Sequence, residues 1–232
     1  MIDFQQFEVL SFDCYGTLID WESGLLAAIE PILSDYQIEI SDREILELFA
    51  QQESVYESGE YLNYREVLSR VMQVFGETFD FEPTDFELDA LVNSIQDWQP
   101  FPDTVAALQA LKTRYKLSII SNIDDDLFAA TAKKLQVDFD WIVTAEQVKS
   151  YKPSLQNFAF AIERMGIAPE KLLHVAQSVY HDVIPAKSIG LATVWVNRRK
   201  GKEGFGATSP ASATPDLEVP DLKSLVTMMG LG

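Results

Sequence analysis

The apolar run FEVLSFD, residues 7–13, ends on an aspartate and a Gly-Thr turn, the pattern of a short buried strand. The period then changes. ESGLLAAIEPILSDY (22–36) has helical spacing, with Pro31 expected to kink or interrupt it. Ser41 and Glu44 form an S-x-x-E capping box ahead of ILELFAQQESVY. YLNYREVLSRVMQVFG (61–76) reads as a helix closed by its glycine, and DFELDALVNSIQDW (85–98) as a fourth helix. Beyond residue 98 the periods alternate. Helices are expected over 102–115, 125–136, 154–166 and 181–190, and strands over 116–122, 139–145, 171–177 and 192–197. Residues 199–216 are a Gly/Ser/Pro-rich loop, and DLKSLVTMM closes the chain as a short helix.

Strands alternating with helices of this length predict an α/β fold with a parallel sheet covered on both faces. The helical stretch after the first strand predicts an insert. Residues 1–20 and 99–232 are expected to form the core domain and 21–98 a helical cap. Ligands in open parallel sheets bind at the carboxyl ends of the strands. That edge carries Asp13 to Thr17, Ser121 and Asn122, and Gln177 to Asp182, and the insert leaves from it.

Composition narrows the class. Apolar content of 47% with 23% charged residues is that of an ordinary globular chain. The formal charge of −18 disfavours nucleic acid and anionic membrane, and it obliges a site for an anionic substrate to carry local positive groups. A single cysteine, Cys14, allows no internal disulfide and fits a reducing, cytoplasmic setting. The start MIDFQQFEVL lacks the pattern of a signal peptide. No apolar stretch approaches the roughly 20 residues of a membrane helix.

The candidate chemistry gathers at the strand ends. Asp13 suits a carboxylate nucleophile, or alternatively a cap on the following turn. Gly16 permits that turn, and the Thr17 hydroxyl can hold the Asp13 carboxylate. Ser121 and Asn122 can hold an anionic group or cap the next helix. Lys152 can neutralise Asp13, and Asp182 can orient Lys152 or help activate water; their alternatives are a solvated charge and a helix cap. Cys14, Tyr15, Gln177 and Ser178 flank these positions as candidate substrate contacts. His174 reads as a strand residue, and His181 lies near the site without an assigned role. Trp21 and Tyr180 are candidate apolar walls, with core packing the other reading for Trp21. Two histidines without a matching third ligand do not make a zinc site.

FDCYGTL, SN after a strand, YKP and VAQSVYHD occur in that order. The chain thereby resembles the haloacid dehalogenase (HAD) superfamily, and within it the type II 2-haloacid dehalogenase branch with a helical cap. The resemblance implies a Rossmann-like, doubly wound sheet. It also implies catalysis by Asp13, Thr17, Ser121, Lys152 and Asp182 on a small carboxylate substrate, without cofactor. Dimers are common among such relatives. Phosphatases of the superfamily place an acid two residues after the nucleophile, where this chain has Tyr15, with a reference pKa of about 10. A leaving group that needs no proton, halide or an amine already protonated as ammonium, is therefore expected. The dehalogenase pattern also departs at Ala50, where the cap arginine for halide stands, and at Phe158, Gln177 and Val179; Arg43 or Arg65 is a possible substitute for that arginine. With RRKGKEGFGAT added, the pattern is similar to hydrolases that open the azetidine-2-carboxylate ring. Two alternatives stay open: a Mg²⁺-dependent phosphatase with Asp13, the Tyr15 carbonyl and Asp182 as ligands, and a non-catalytic binding protein on the same fold.

Overall fold

The computed structural model describes residues 2–232. Six strands form one wholly parallel sheet: β1 (Val9–Phe12), β2 (Lys116–Ser121), β3 (Trp141–Thr144), β4 (Leu172–Ala176), β5 (Ala192–Val196) and β6 (Leu217–Val219), in the order β3-β2-β1-β4-β5-β6. Alternation along each strand divides the core in two. Leu10, Phe12, Leu117, Ile119, Leu173, Val175 and Val194 join one apolar cluster, while Val9, Ile120, Val143 and Leu172 join a second on the opposite face. The fold class is thus α/β with a doubly wound parallel sheet.

Between β1 and β2 the chain is helical: α1 (Trp21–Asp35), α2 (Asp42–Glu57), α3 (Tyr64–Phe79), α4 (Asp85–Leu88), α5 (Ala90–Ser94) and α6 (Thr104–Lys112). The first three and α5 pack on one another through stripes such as Ile45, Leu46 and Phe49 on α2 and Val67, Leu68, Val71 and Phe75 on α3. The capping box at Ser41 and Glu44 closes on α2 as its spacing predicts. The later helices are α7 (Asp125–Leu135), α8 (Ala145–Val148), α9 (Leu155–Met165), α10 (Ile184–Ser188) and α11 (Leu222–Met228). Among the described residues no helix is long and apolar enough to cross a membrane.

Several boundaries differ from the sequence expectation. α1 continues through Pro31. α3 starts at Tyr64 behind an Asn63 cap, runs past Gly76 and ends on Asp80 in the left-handed conformation. Gly76 is instead a contact point, since a Cβ there would lie 2.5 Å from Pro83 Cδ. The helix expected over 85–98 divides into α4, α5 and a 3₁₀ turn, Ile95–Asp97. The start of the helix expected over 181–190 is a π-helical turn, Val179–Val183, of the kind often found at functional sites. β6 is only three residues long and sits at the sheet edge, too short for its alternation to be read.

Parallel register fixes where the chemistry can gather. Phe12 pairs with Ile119 on one side and Val175 on the other. The residues that follow them, Asp13, Ile120 with Ser121, and Ala176 with Gln177, therefore emerge together at the carboxyl edge.

Candidate active site

Asp13 leaves β1 with its backbone N–H donating to Val175 O (3.2 Å). The following turn needs Gly16, whose φ is +89°, and a Cβ there would lie 2.9 Å from both Gln177 Oε1 and Trp21 Nε1. The turn returns Thr17 beneath Asp13. Thr17 Oγ1 donates to Asp13 Oδ2 (2.7 Å) and accepts from the Gln177 N–H (2.8 Å), so one hydroxyl ties β1 to the end of β4. Lys152 Nζ occupies the other side. It donates to Asp13 Oδ1 (2.9 Å), Asp182 Oδ1 (2.7 Å) and Ile120 O (2.9 Å), which uses all three of its protons. Asp182 Oδ1 also meets His174 Nε2 (2.9 Å), and His174 Nδ1 meets Ser11 Oγ (2.8 Å).

Lys152 and Asp182 are almost wholly buried, at 1% and 0% exposure, and Asp13 is 7% exposed, at the cavity wall. Burial raises the Asp13 carboxyl above its ordinary range, opposed by Lys152 and Thr17. Burial also pushes Asp182 upward, but Lys152 and His174 outweigh it and hold it below the ordinary value. Lys152 is lowered by burial and raised more strongly by the two carboxylates, so it stays an ammonium.

Seven of the sequence candidates line one cavity: Asp13, Tyr15, Ser121, Asn122, Lys152, Ser178 and Asp182. Thr17 lies just behind it. Cys14 is fully buried in the core, and Gln177 contributes its backbone to Thr17 while its side chain meets Thr208 (3.4 Å). Tyr15 hydrogen-bonds Thr131 Oγ1 (2.9 Å) and packs edge-on against Trp98, and burial raises its phenol well above the ordinary value. Asn122 is spent on the backbone of Lys152 and on Glu57. Phe158 packs edge-on behind His174, in the core. Trp21 lines the cavity, and Tyr180 does not.

Neither Arg43 nor Arg65 reaches the cavity. Arg65 is a surface side chain paired with Asp126. Ala50 is buried in α2 away from the lining. The helical segment contributes Glu53, Glu57 and Tyr64 instead, residues the sequence reading missed. A signal was present: Phe49, Glu53 and Glu57 follow at i, i+4 and i+8, which puts both glutamates on the apolar stripe of α2. Tyr64 Oη donates to Glu53 Oε1 (2.5 Å), and burial holds Glu53 up to about 8. Burial and then Glu53 push Glu57 well above the carboxylate range. His181 also lines the cavity, 3.5 Å from Glu57 Oε2, and burial lowers it to about 4. Three buried polar atoms on this lining have no partner: Ser121 Oγ, Asp182 Oδ2 and His181 Nε2.

Glu53 makes stability pH-dependent. The unfolded chain releases this proton near pH 4.3, the folded chain only near pH 8. Between those values the folded state holds the extra proton, so rising pH withdraws stability. His181 acts in the opposite sense and only below its unfolded value of about 6.5. Thermal melts from pH 6.5 to 9 are expected to show Tm falling by roughly 5 °C or more, with a flatter curve for Glu53→Gln. A wild-type Tm that rises across that range would contradict the assignment.

The Mg²⁺ alternative draws on Asp13, Asp182 and the Tyr15 carbonyl. The Oδ1 atoms of Asp13 and Asp182 both face Lys152, and Asp13 Oδ2 faces Thr17, leaving Asp182 Oδ2 uncommitted. Mg²⁺ there would need the remaining lone pairs of oxygens already held by Lys152 or Thr17, beside the Lys152 ammonium. Among the described residues no group of three or more His, Cys, Asp or Glu side chains is placed to hold a metal ion.

A family model of haloacid dehalogenase-like hydrolases matches residues 7–190, which carry every element of the ion network described above. The chain belongs to the haloacid dehalogenase-like hydrolase family. It is 25% identical to haloacetate dehalogenase H-2 of Moraxella sp. (strain B) over 98% of this chain and all of that one. It is 25% identical to (S)-2-haloacid dehalogenase 4A of Burkholderia cepacia over 81% and 82% of the two chains. The fold is that of the L-2-haloacid dehalogenase from Xanthobacter autotrophicus with chloropropionic acid covalently bound, at TM-score 0.79 and 22% identity over 97% and 98% of the chains. As a member of the HAD-like family, the protein is a hydrolase.

Proposed function

We propose that this hydrolase displaces a leaving group from C2 of a small 2-substituted carboxylic acid through an ester on Asp13, without metal, either halide from a 2-halo acid or nitrogen from a strained ring. In this proposal residues 1–20 and 99–232 are the catalytic core and 21–98 a cap over it. The observation that carries it is the Lys152 ammonium between Asp13 and Asp182, all its protons spent, at the wall of a cavity of only about 30 Å³.

In this reading Asp13 attacks C2 while Thr17 and Lys152 fix the carboxylate and balance its charge. The free hydroxyl of Ser121 takes the substrate carboxylate. Water then adds to the ester carbonyl of Asp13, with the free Oδ2 of Asp182 on the same lining as its base. The covalent adduct named for the Xanthobacter enzyme supports the ester step. Tyr15, tied to Thr131, offers no acid for a phosphate-ester leaving group.

The test is a panel of (S)-2-chloropropionate, azetidine-2-carboxylate and p-nitrophenyl phosphate, with EDTA or Mg²⁺. Turnover of a 2-substituted carboxylate, unchanged by EDTA, is expected. Mg²⁺-dependent hydrolysis of the phosphate ester alone would reverse the assignment.

A further inference from the structure

The cation content of the cavity is unusual for a site that would release an anion. Among the described residues Lys152 is the one Lys or Arg on its lining, and its three donors are committed. Facing it from α2 are two glutamates, hydrogen-bonded from two other parts of the chain and approached from a third. Tyr64 of α3 donates to Glu53, Asn122 after β2 donates to both Glu57 oxygens (3.1 Å each), and His181 of the π-helical turn stands 3.5 Å from Glu57. Asn122 also brackets the Lys152 backbone, so Glu57 is joined through one side chain to the group that holds Asp13. The free Ser121 Oγ and Asp182 Oδ2 on the same lining mark this cavity as built for a ligand.

We propose that Glu57, with Glu53 beside it, forms the leaving-group subsite of this enzyme, supplied from α2, and that it serves a nitrogen, which departs as a neutral amine and is then protonated by Glu57. The inference rests on the reading that Asp13 is the nucleophile. A halide would depart as an anion into two carboxyl groups with no uncommitted cation, whereas an amine nitrogen finds a hydrogen-bonding partner there. Glu53, which accepts the Tyr64 hydroxyl, is the carboxyl better placed to ionise beside an arriving ammonium, and Glu57 is the one that keeps a proton.

The step balances. Asp13 Oδ bonds to C2, the C2–N bond breaks, and its electron pair stays on nitrogen. That nitrogen, bound as ammonium, becomes a neutral amine and takes a proton from the Glu57 carboxyl to become ammonium again. Water hydrolyses the Asp13 ester, giving the 2-hydroxy acid and the Asp13 carboxylate, and the proton released returns to Glu57.

The test uses the full chain. Glu57→Gln keeps an oxygen for Asn122 and is expected to melt within a few degrees of the wild type. Its kcat/KM for azetidine-2-carboxylate is expected to fall about 100-fold. In the Asp13→Asn background, calorimetry is expected to show azetidine-2-carboxylate bound at least about tenfold more tightly than cyclobutanecarboxylate, which has no nitrogen, and Glu53→Gln with Glu57→Gln is expected to erase that preference. If Asp13→Asn is inactive while Glu57→Gln opens the ring within about threefold of wild type, this inference fails and the nucleophile stands. If Asp13→Asn still opens the ring, the nucleophile itself is misassigned. No ring opening by wild type, together with equal binding of the two rings, would also overturn the inference.

Discussion

Asp13→Asn is expected to lower kcat by about 10⁴-fold or more while leaving the fold intact, because it removes the attacking oxyanion and little else. The amide is isosteric with the carboxylate. It keeps an oxygen for Thr17 or Lys152, and Lys152 keeps Asp182 as its counter-ion. Two buried carboxylates sharing one ammonium become one, so Tm should hold or rise, the usual opposition between a poised site and stability. Steady-state rates on whichever 2-substituted carboxylate is turned over, measured beside a thermal melt, check both halves. Retained turnover would exclude the ester route.

Lys152→Met should damage activity and stability together. Its ammonium is the sole cation between two buried carboxylates, and an apolar replacement leaves both uncompensated. Breaking such a pair from one side typically costs about 3–5 kcal/mol, which is a Tm loss of roughly 10 °C for a chain of this size. The Asp13 carboxyl, already raised by burial, loses the group that draws it down and retains its proton at neutral pH. We expect kcat to fall about 10³-fold, with residual activity recovering as pH rises toward the new Asp13 value. A loss of rate with unchanged Tm and an unchanged pH profile would show that Lys152 does not set the charge state of Asp13.

Much of this arrangement could be read from the chain because it depends on local pattern and strand-end position. Period-2 and 3.6-residue spacing located β1 to β5 and most helices, and the four short motifs placed Asp13, Thr17, Ser121, Lys152 and Asp182 on one edge. What stayed hidden depends on tertiary contact. Gly76 looks like a helix stop and is instead a packing point for Pro83. β6 exists only through pairing with β5. Asn122 looks like a substrate donor, but its amide is consumed by Lys152 and Glu57. The glutamates of α2 were the larger omission. A helix of acidic and apolar residues reads as amphipathic, and only its docking over Asp13 turns two of its acids inward.

The most direct measurement is a single turnover in H₂¹⁸O with enzyme in excess over substrate, followed by mass spectrometry of the peptide containing Asp13. Water adding to the ester carbonyl places one ¹⁸O in the Asp13 carboxylate and leaves the product hydroxyl unlabelled. Label in the product hydroxyl, with none in Asp13, would mean that water attacks C2 directly and that the carboxylate never bonds to the substrate.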